Sequence, residues 1–86
     1  MNKYVFWDAG GNSHPFPSLE EATNFAEKCG YVFAFSRKLE EGKAERISYY
    51  LRASDLPSKN CSEQEKIDLI LQNYAEWKEP RIEPLS

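Results

Sequence analysis

Asp8 and His14 are the residues of this chain whose types and spacing most invite chemistry. They lie in the stretch Trp7-Asp8-Ala9-Gly10-Gly11-Asn12-Ser13-His14-Pro15-Phe16-Pro17, and His14 is the only histidine among 86 residues. An imidazole can take up a proton near neutral pH, and a carboxylate beside it can fix its orientation. Such a pair would serve a small hydrolase or a nuclease-like enzyme. The sequence identifies no nucleophile or second proton donor to complete it, and the same residue types also build turns.

The turn between them decides whether they meet. A two-residue loop, Gly10-Gly11 or Gly11-Asn12, is the commoner hairpin type and suits the glycine pair. It puts His14 on the face of Trp7 and points Asp8 the other way. A three-residue loop of Gly10-Gly11-Asn12, with Asn12 left-handed, sets Asp8 opposite His14. The shorter loop is the expectation, with His14 a turn residue covering Trp7 and no catalytic residue assigned.

Other chemistries fail on detail. The glycine pair lacks a GxGxxG or GKS/T frame, and Pro15 and Pro17 remove amides from the approach to the helix that follows. Cys29 and Cys61 have no CxxC spacing and one histidine to join them, so no metal site and no cofactor is expected. Free thiols in a cytoplasmic protein are the ordinary state for such a pair.

A second constellation is basic and aromatic. Arg46, Tyr50 and Arg52 alternate on one predicted strand and so share a face, and Arg37 lies on the strand before it. Arginine with an exposed ring can anchor a protein interface or stack on single-stranded bases. Positions 36–59 hold six basic and four acidic residues, whereas the whole chain carries a net charge of -3 and a pI near 5.1. That balance disfavours nucleic acid, which needs many cationic phosphate contacts. Arg37, Arg46, Tyr50 and Arg52 are therefore the expected partner-binding residues, with Arg46, Tyr50 and Arg52 serving single-stranded nucleic acid in the alternative reading.

The elements that must position these residues follow from pattern. Residues 3–8 read as a strand, with Ser13 to Phe16 pairing back on it at a sheet edge, where prolines are tolerated. Ser18-Leu19-Glu20-Glu21 is a capping box, and Leu19, Ala22, Phe25, Ala26 and Cys29 recur at helical spacing up to Gly30. This predicts a helix over 19–29. Two β-rich runs then flank Lys38 to Lys43. A three-residue loop, Glu40-Glu41-Gly42, pairs Phe35 with Ile47, Phe33 with Tyr49 and Tyr31 with Leu51, all on one face. Ser62-Glu63-Gln64-Glu65 is a second capping box, and Ile67, Ile70, Leu71, Tyr74 and Trp77 form a stripe on a helix over 63–78.

Composition sets the frame. A chain with 41% hydrophobic and 29% charged residues is not disordered, and its length makes one domain. Lys3 precedes only a short apolar run, so neither a signal peptide nor a membrane span is expected. The predicted architecture is α+β: a small antiparallel sheet with two helices packed on one face, in the order β-(β)-α-β-β-α. It occupies residues 1–79, and residues 80–86 form an extended or mobile tail. The expected function is that of a small acidic module binding another protein, as a regulator or inhibitor of a larger complex. A phage- or plasmid-type antagonist of a host defence system is one form, and a homodimer is another.

Overall fold

The structure is a computed structural model and describes residues 1–39, 42, 45–73 and 80–85. The elements are β1 (Tyr4–Trp7), β2 (Ser13–Phe16), α1 (Leu19–Lys28), β3 (Tyr31–Lys38), β4 (Arg46–Arg52), a 3-10 turn (Ala53–Asp55), α2 (Glu63–Asn73) and β5 (Arg81–Pro84). Among the described residues the strands form one antiparallel sheet in the order β2-β1-β5-β4-β3. The α+β class, the antiparallel sheet and the two helices are those the sequence predicts.

Local chemistry explains the element boundaries. Ser18 is extended and its hydroxyl accepts the Glu21 amide at 3.2 Å, which caps α1. Gly30, at φ +88°, follows its last turn. At α2, Ser62 accepts from the Glu65 amide and Glu65 accepts from the Ser62 amide, a reciprocal capping box. Residues 74–78 of the predicted second helix, including Tyr74 and Trp77, lie outside the described residues.

The helices do not share a face of the sheet. Ala22 and Ala26 of α1 bury against Phe6, Tyr50 and Ile82, with Phe25 beside them. Ile70 of α2 buries against Ala34, Ile47, Tyr49 and Leu51. Tyr49, Tyr50 and Leu51 are consecutive and all buried, and successive strand residues point to opposite faces. Both faces of β4 therefore need cover, and one helix supplies each. The expected stripe of α2 also changes: Leu71 is 75% exposed and Leu69 packs inward instead.

The hairpin register differs from the predicted one for two reasons. Phe35 pairs with Tyr49 and Arg37 with Ile47, because Lys38 meets Arg46 and the Leu39 amide donates to the Glu45 carbonyl, two residues beyond the partners a three-residue loop sets. Gly42 is left-handed as expected, at φ +84°. A bulge between Phe33 and Phe35 then shifts the pairing, so that Phe33 meets Tyr50 and Val32 meets Leu51. Tyr31 and Phe33 consequently join the α1 side, while Phe35 joins the α2 side.

The predicted tail is a strand of the domain. β5 lies between β1 and β4, pairing Ile82 with both Phe6 and Ser48, and Ile82 is 1% exposed. Arg81–Pro84 is thus part of the sheet and not a tail outside it. Pro84 is tolerated because β4 pairs only with Arg81 and Ile82, so the missing amide interrupts no bond on that side.

Both sheet edges are guarded. β2 carries Pro15. Along β3 the carbonyls of Phe33 and Ser36 accept Lys66 Nζ at 3.2 Å and an Arg46 guanidinium nitrogen at 3.1 Å. Prolines, bulges and cations on an edge oppose strand addition.

Candidate functional site

The Asp8–His14 pair is formed. The β1–β2 turn has three residues, Ala9-Gly10-Gly11, one position earlier than the three-residue loop considered from sequence. The Gly11 amide donates to the Asp8 carbonyl at 3.0 Å, the Asp8 amide to the Asn12 carbonyl at 3.0 Å, and Gly11 takes φ +82°. Glycine, not Asn12, supplies the left-handed residue. This register pairs Phe6 with His14, so His14 lies on the face of Phe6 and not on that of Trp7. Asp8 has the same parity as Phe6, and its Oδ2 lies 2.9 Å from His14 Nε2.

The carboxylate has two tasks. Its Oδ1 accepts the Gly10 amide at 2.9 Å, the Asn12 amide at 3.0 Å and the Asn12 side-chain nitrogen at 3.3 Å. It thereby fixes the turn while Oδ2 holds the imidazole. Burial pushes the Asp8 carboxyl upward, but the hydrogen bonds from His14, Asn12 and Gly10 outweigh it and leave the group below the usual carboxylate value. An ionised carboxylate only accepts, so Nε2 carries the proton in this pair, and Nδ1 is the basic position of the neutral ring.

Aromatic rings fix the imidazole further. Phe25 from α1 lies 4.9 Å from it and Phe6 lies 6.1 Å away, centroid to centroid. The Tyr31 hydroxyl accepts the Ala9 amide at 3.0 Å, tying β3 to the turn. The side chains of His14 and Asp8 remain 34% and 21% exposed, so solvent reaches the pair. Among the described residues no hydroxyl or thiol is hydrogen-bonded to the imidazole, and no group of three or more potential metal ligands occurs. The geometry can hold and pass a proton; it carries no nucleophile of its own.

The four predicted partner-binding residues are not one surface. Tyr50 is 2% exposed, beneath α1. Burial pushes its phenol above the usual value, opposed by a hydrogen bond with Thr23 and aided by the Glu27 charge. It offers no exposed ring to a partner or a base. Arg46 is exposed and bonds Ser36 through Nε and a terminal nitrogen. Arg52 is exposed and paired with Asp55 at 3.0 Å. Arg37 is on the other side of the sheet, where its Nε donates to the Tyr49 hydroxyl at 2.8 Å and its guanidinium lies over that ring.

Sequence reasoning missed Phe33. The sequence pattern puts Phe33 on one apolar face with Tyr31 and Phe35, yet it is 46% exposed and sits edge-on to Tyr50 at 5.8 Å. Beyond it on the same face, Ser36 pairs with Ser48 and Lys38 pairs with the exposed Arg46. The bulge that turned Phe33 outward left no mark in the period-two pattern. A second feature unforeseen from sequence is Trp7, whose indole donates to Glu83 at 2.8 Å while Arg81 lies over its ring.

Both cysteines are free. Cys29 is exposed at the end of α1, not part of its buried stripe. No helix among the described residues is long and apolar enough to cross a membrane. No protein-family model, curated protein or solved structure matches this chain.

Proposed function

We propose that this protein acts by binding another protein, as a regulator or inhibitor of a larger complex, through the face of the hairpin that carries Phe33 and Arg46. The observation that carries this reading is the half-exposed Phe33 ring, held edge-on by buried Tyr50. A ring braced in one orientation loses little entropy on binding, and aromatic and arginine side chains dominate interface energetics. Lys38 and Arg46, further along the same face beyond the Ser36–Ser48 pair, favour an acidic partner segment. The setting we infer is cytoplasmic, where free Cys29 and Cys61 stay reduced. An antagonist of a host defence complex is one form of this role, and a homodimer formed through the same face is another.

Affinity capture from the source cells tests it. The wild type should retain a discrete partner, and Phe33→Ala or Arg46→Ala should each weaken retention about tenfold or more while leaving the circular dichroism spectrum unchanged. Equal retention by both variants would remove this face from the reading. Sedimentation of the purified chain separates a homodimer from a foreign partner.

A second reading rests on the 2.9 Å contact of Asp8 with His14. A proton-transfer role would use Nδ1 as the base, with a water or a substrate hydroxyl as nucleophile. His14→Ala should then lower any hydrolytic turnover by about two orders of magnitude or more. Turnover unchanged in that variant would leave the pair a purely structural clamp.

A further inference from the structure

A cleft on the α2 side of β3 combines an apolar lining with two lysines that have no carboxylate partner among the described residues. Val32, Ala53 and Leu56 supply its apolar lining, Ser58, Lys59 and Lys66 its polar lining, and the volume is about 360 Å³. That size falls at the lower end of small-molecule sites. The cleft is separate from the Phe33 face, since Val32 and Phe33 are adjacent on the strand and point to opposite sides.

Its electrostatics are one-sided. Lys66 is half-buried and donates one hydrogen bond, to the Phe33 carbonyl at 3.2 Å. An ammonium has three protons, so two remain for a ligand. Among the described residues neither Lys59 nor Lys66 has a carboxylate within ion-pair distance. The acid closest in sequence to the apolar lining, Asp55, is taken by Arg52 at 3.0 Å. In the first turn of α2, Glu65 is drawn back to the Ser62 amide at 3.1 Å, and exposed Glu63 is not part of the cleft wall. An ammonium with protons to spare is well satisfied by an oxyanion, through a charge-assisted hydrogen bond. The apolar lining rewards an apolar chain.

We propose that this cleft binds a small amphipathic oxyanion, a carboxylate or phosphate head on a short apolar chain. The head lies between Lys59 and Lys66 with the Ser58 hydroxyl as a further donor, and the chain lies on Val32, Ala53 and Leu56. Neither half of such a ligand suffices alone.

Titration of the full chain followed by NMR tests this with four probes: hexanoate, hexyl phosphate, 1-hexanol and inorganic phosphate. Hexanoate or hexyl phosphate should give saturable shifts at the Val32, Ala53 and Leu56 methyls, and their ranking identifies the head group. Hexanol and inorganic phosphate should each bind at least about tenfold more weakly, lacking the charge or the chain. Lys59→Gln and Lys66→Gln should each weaken the better probe by a similar factor, with the rest of the spectrum preserved. Lys59 is on an exposed loop, so its variant reports on binding even if the loss of Lys66 disturbs β3. Hexanol binding as well as hexanoate, inorganic phosphate binding as well as hexyl phosphate, or the absence of saturable shifts at the apolar lining would each overturn the proposal. So would an affinity unchanged in Lys59→Gln.

Discussion

At the scale of single residues, Asp8 shows how one side chain acquires two roles. Its Oδ1 organises the turn and its Oδ2 anchors His14, and both roles need the charged form. Because its native value lies below the ordinary one, the charge contributes stability above the unfolded carboxyl's pKa of about 3.9. That contribution is lost as the pH falls through the lower native value. Asp8→Asn should therefore cost about 1 kcal/mol at pH 7, a modest figure because the pair is partly solvated. Urea titrations at descending pH should show the gap from wild type closing below about pH 4. A gap constant from pH 7 to pH 2 would mean that shape, not charge, holds the turn. The types and spacing of Asp8 and His14 were legible in the sequence. Their contact was not, because it depends on where a three-residue turn begins, and an alternation-based register cannot distinguish Gly11 from Asn12 as the left-handed residue.

At the scale of elements, helix caps were the most legible features, and hairpin turns and registers the least. Capping boxes at Ser18 and Ser62 act within a few residues, so sequence alone specifies them. Gly11 also acts locally, although the sequence leaves it and Asn12 undistinguished as the left-handed residue. A Cβ there meets nothing within 4 Å, so the cost of Gly11→Ala comes from the backbone alone, at φ +82°. Thermal unfolding should register a loss of about 1 kcal/mol, the penalty for a left-handed non-glycine residue. A variant as stable as wild type would show that the turn relaxes to another type. The β3–β4 hairpin went the other way. Its apolar pattern fitted a short turn through Glu40-Glu41-Gly42, but the bulge at Ala34 lets one strand serve two faces, with Phe33 on one and Phe35 on the other. A bulge is stabilised by what packs on either side of it, and those neighbours come from distant parts of the chain.

At the scale of the whole molecule, the decisive element is β5, a strand of four residues. β5 joins the β2-β1 pair to the β4-β3 pair, and its Ile82 meets Phe6 and Tyr50 in the α1-side core. Removing residues 81–86 should divide the sheet and abolish cooperative unfolding in a circular dichroism melt. Ile82→Ala, which keeps the ladder, should cost about 2–5 kcal/mol, a large share of the stability of a domain this small. A truncated chain melting like the full one would show that the sheet closes without β5. Tertiary position also separates two rings of one face: α1 over Tyr50 buries that ring, while Phe33 stays half-exposed.

By itself the sequence determined the class, the helix starts, the left-handed glycines at Gly30 and Gly42, and the edge position of β2. Each is set by interactions between residues near one another in the chain, where propensity and capping dominate. The tertiary structure alone decided that the helices cover opposite faces, that Arg81–Pro84 enters the middle of the sheet, and that Asp8 touches His14. The first two depend on burial shared between distant segments, and the third on where the β1–β2 turn begins. Four residues such as Arg-Ile-Glu-Pro carry almost no intrinsic strand signal, and they become a strand because an unsatisfied edge of β1 and one of β4 lie on either side.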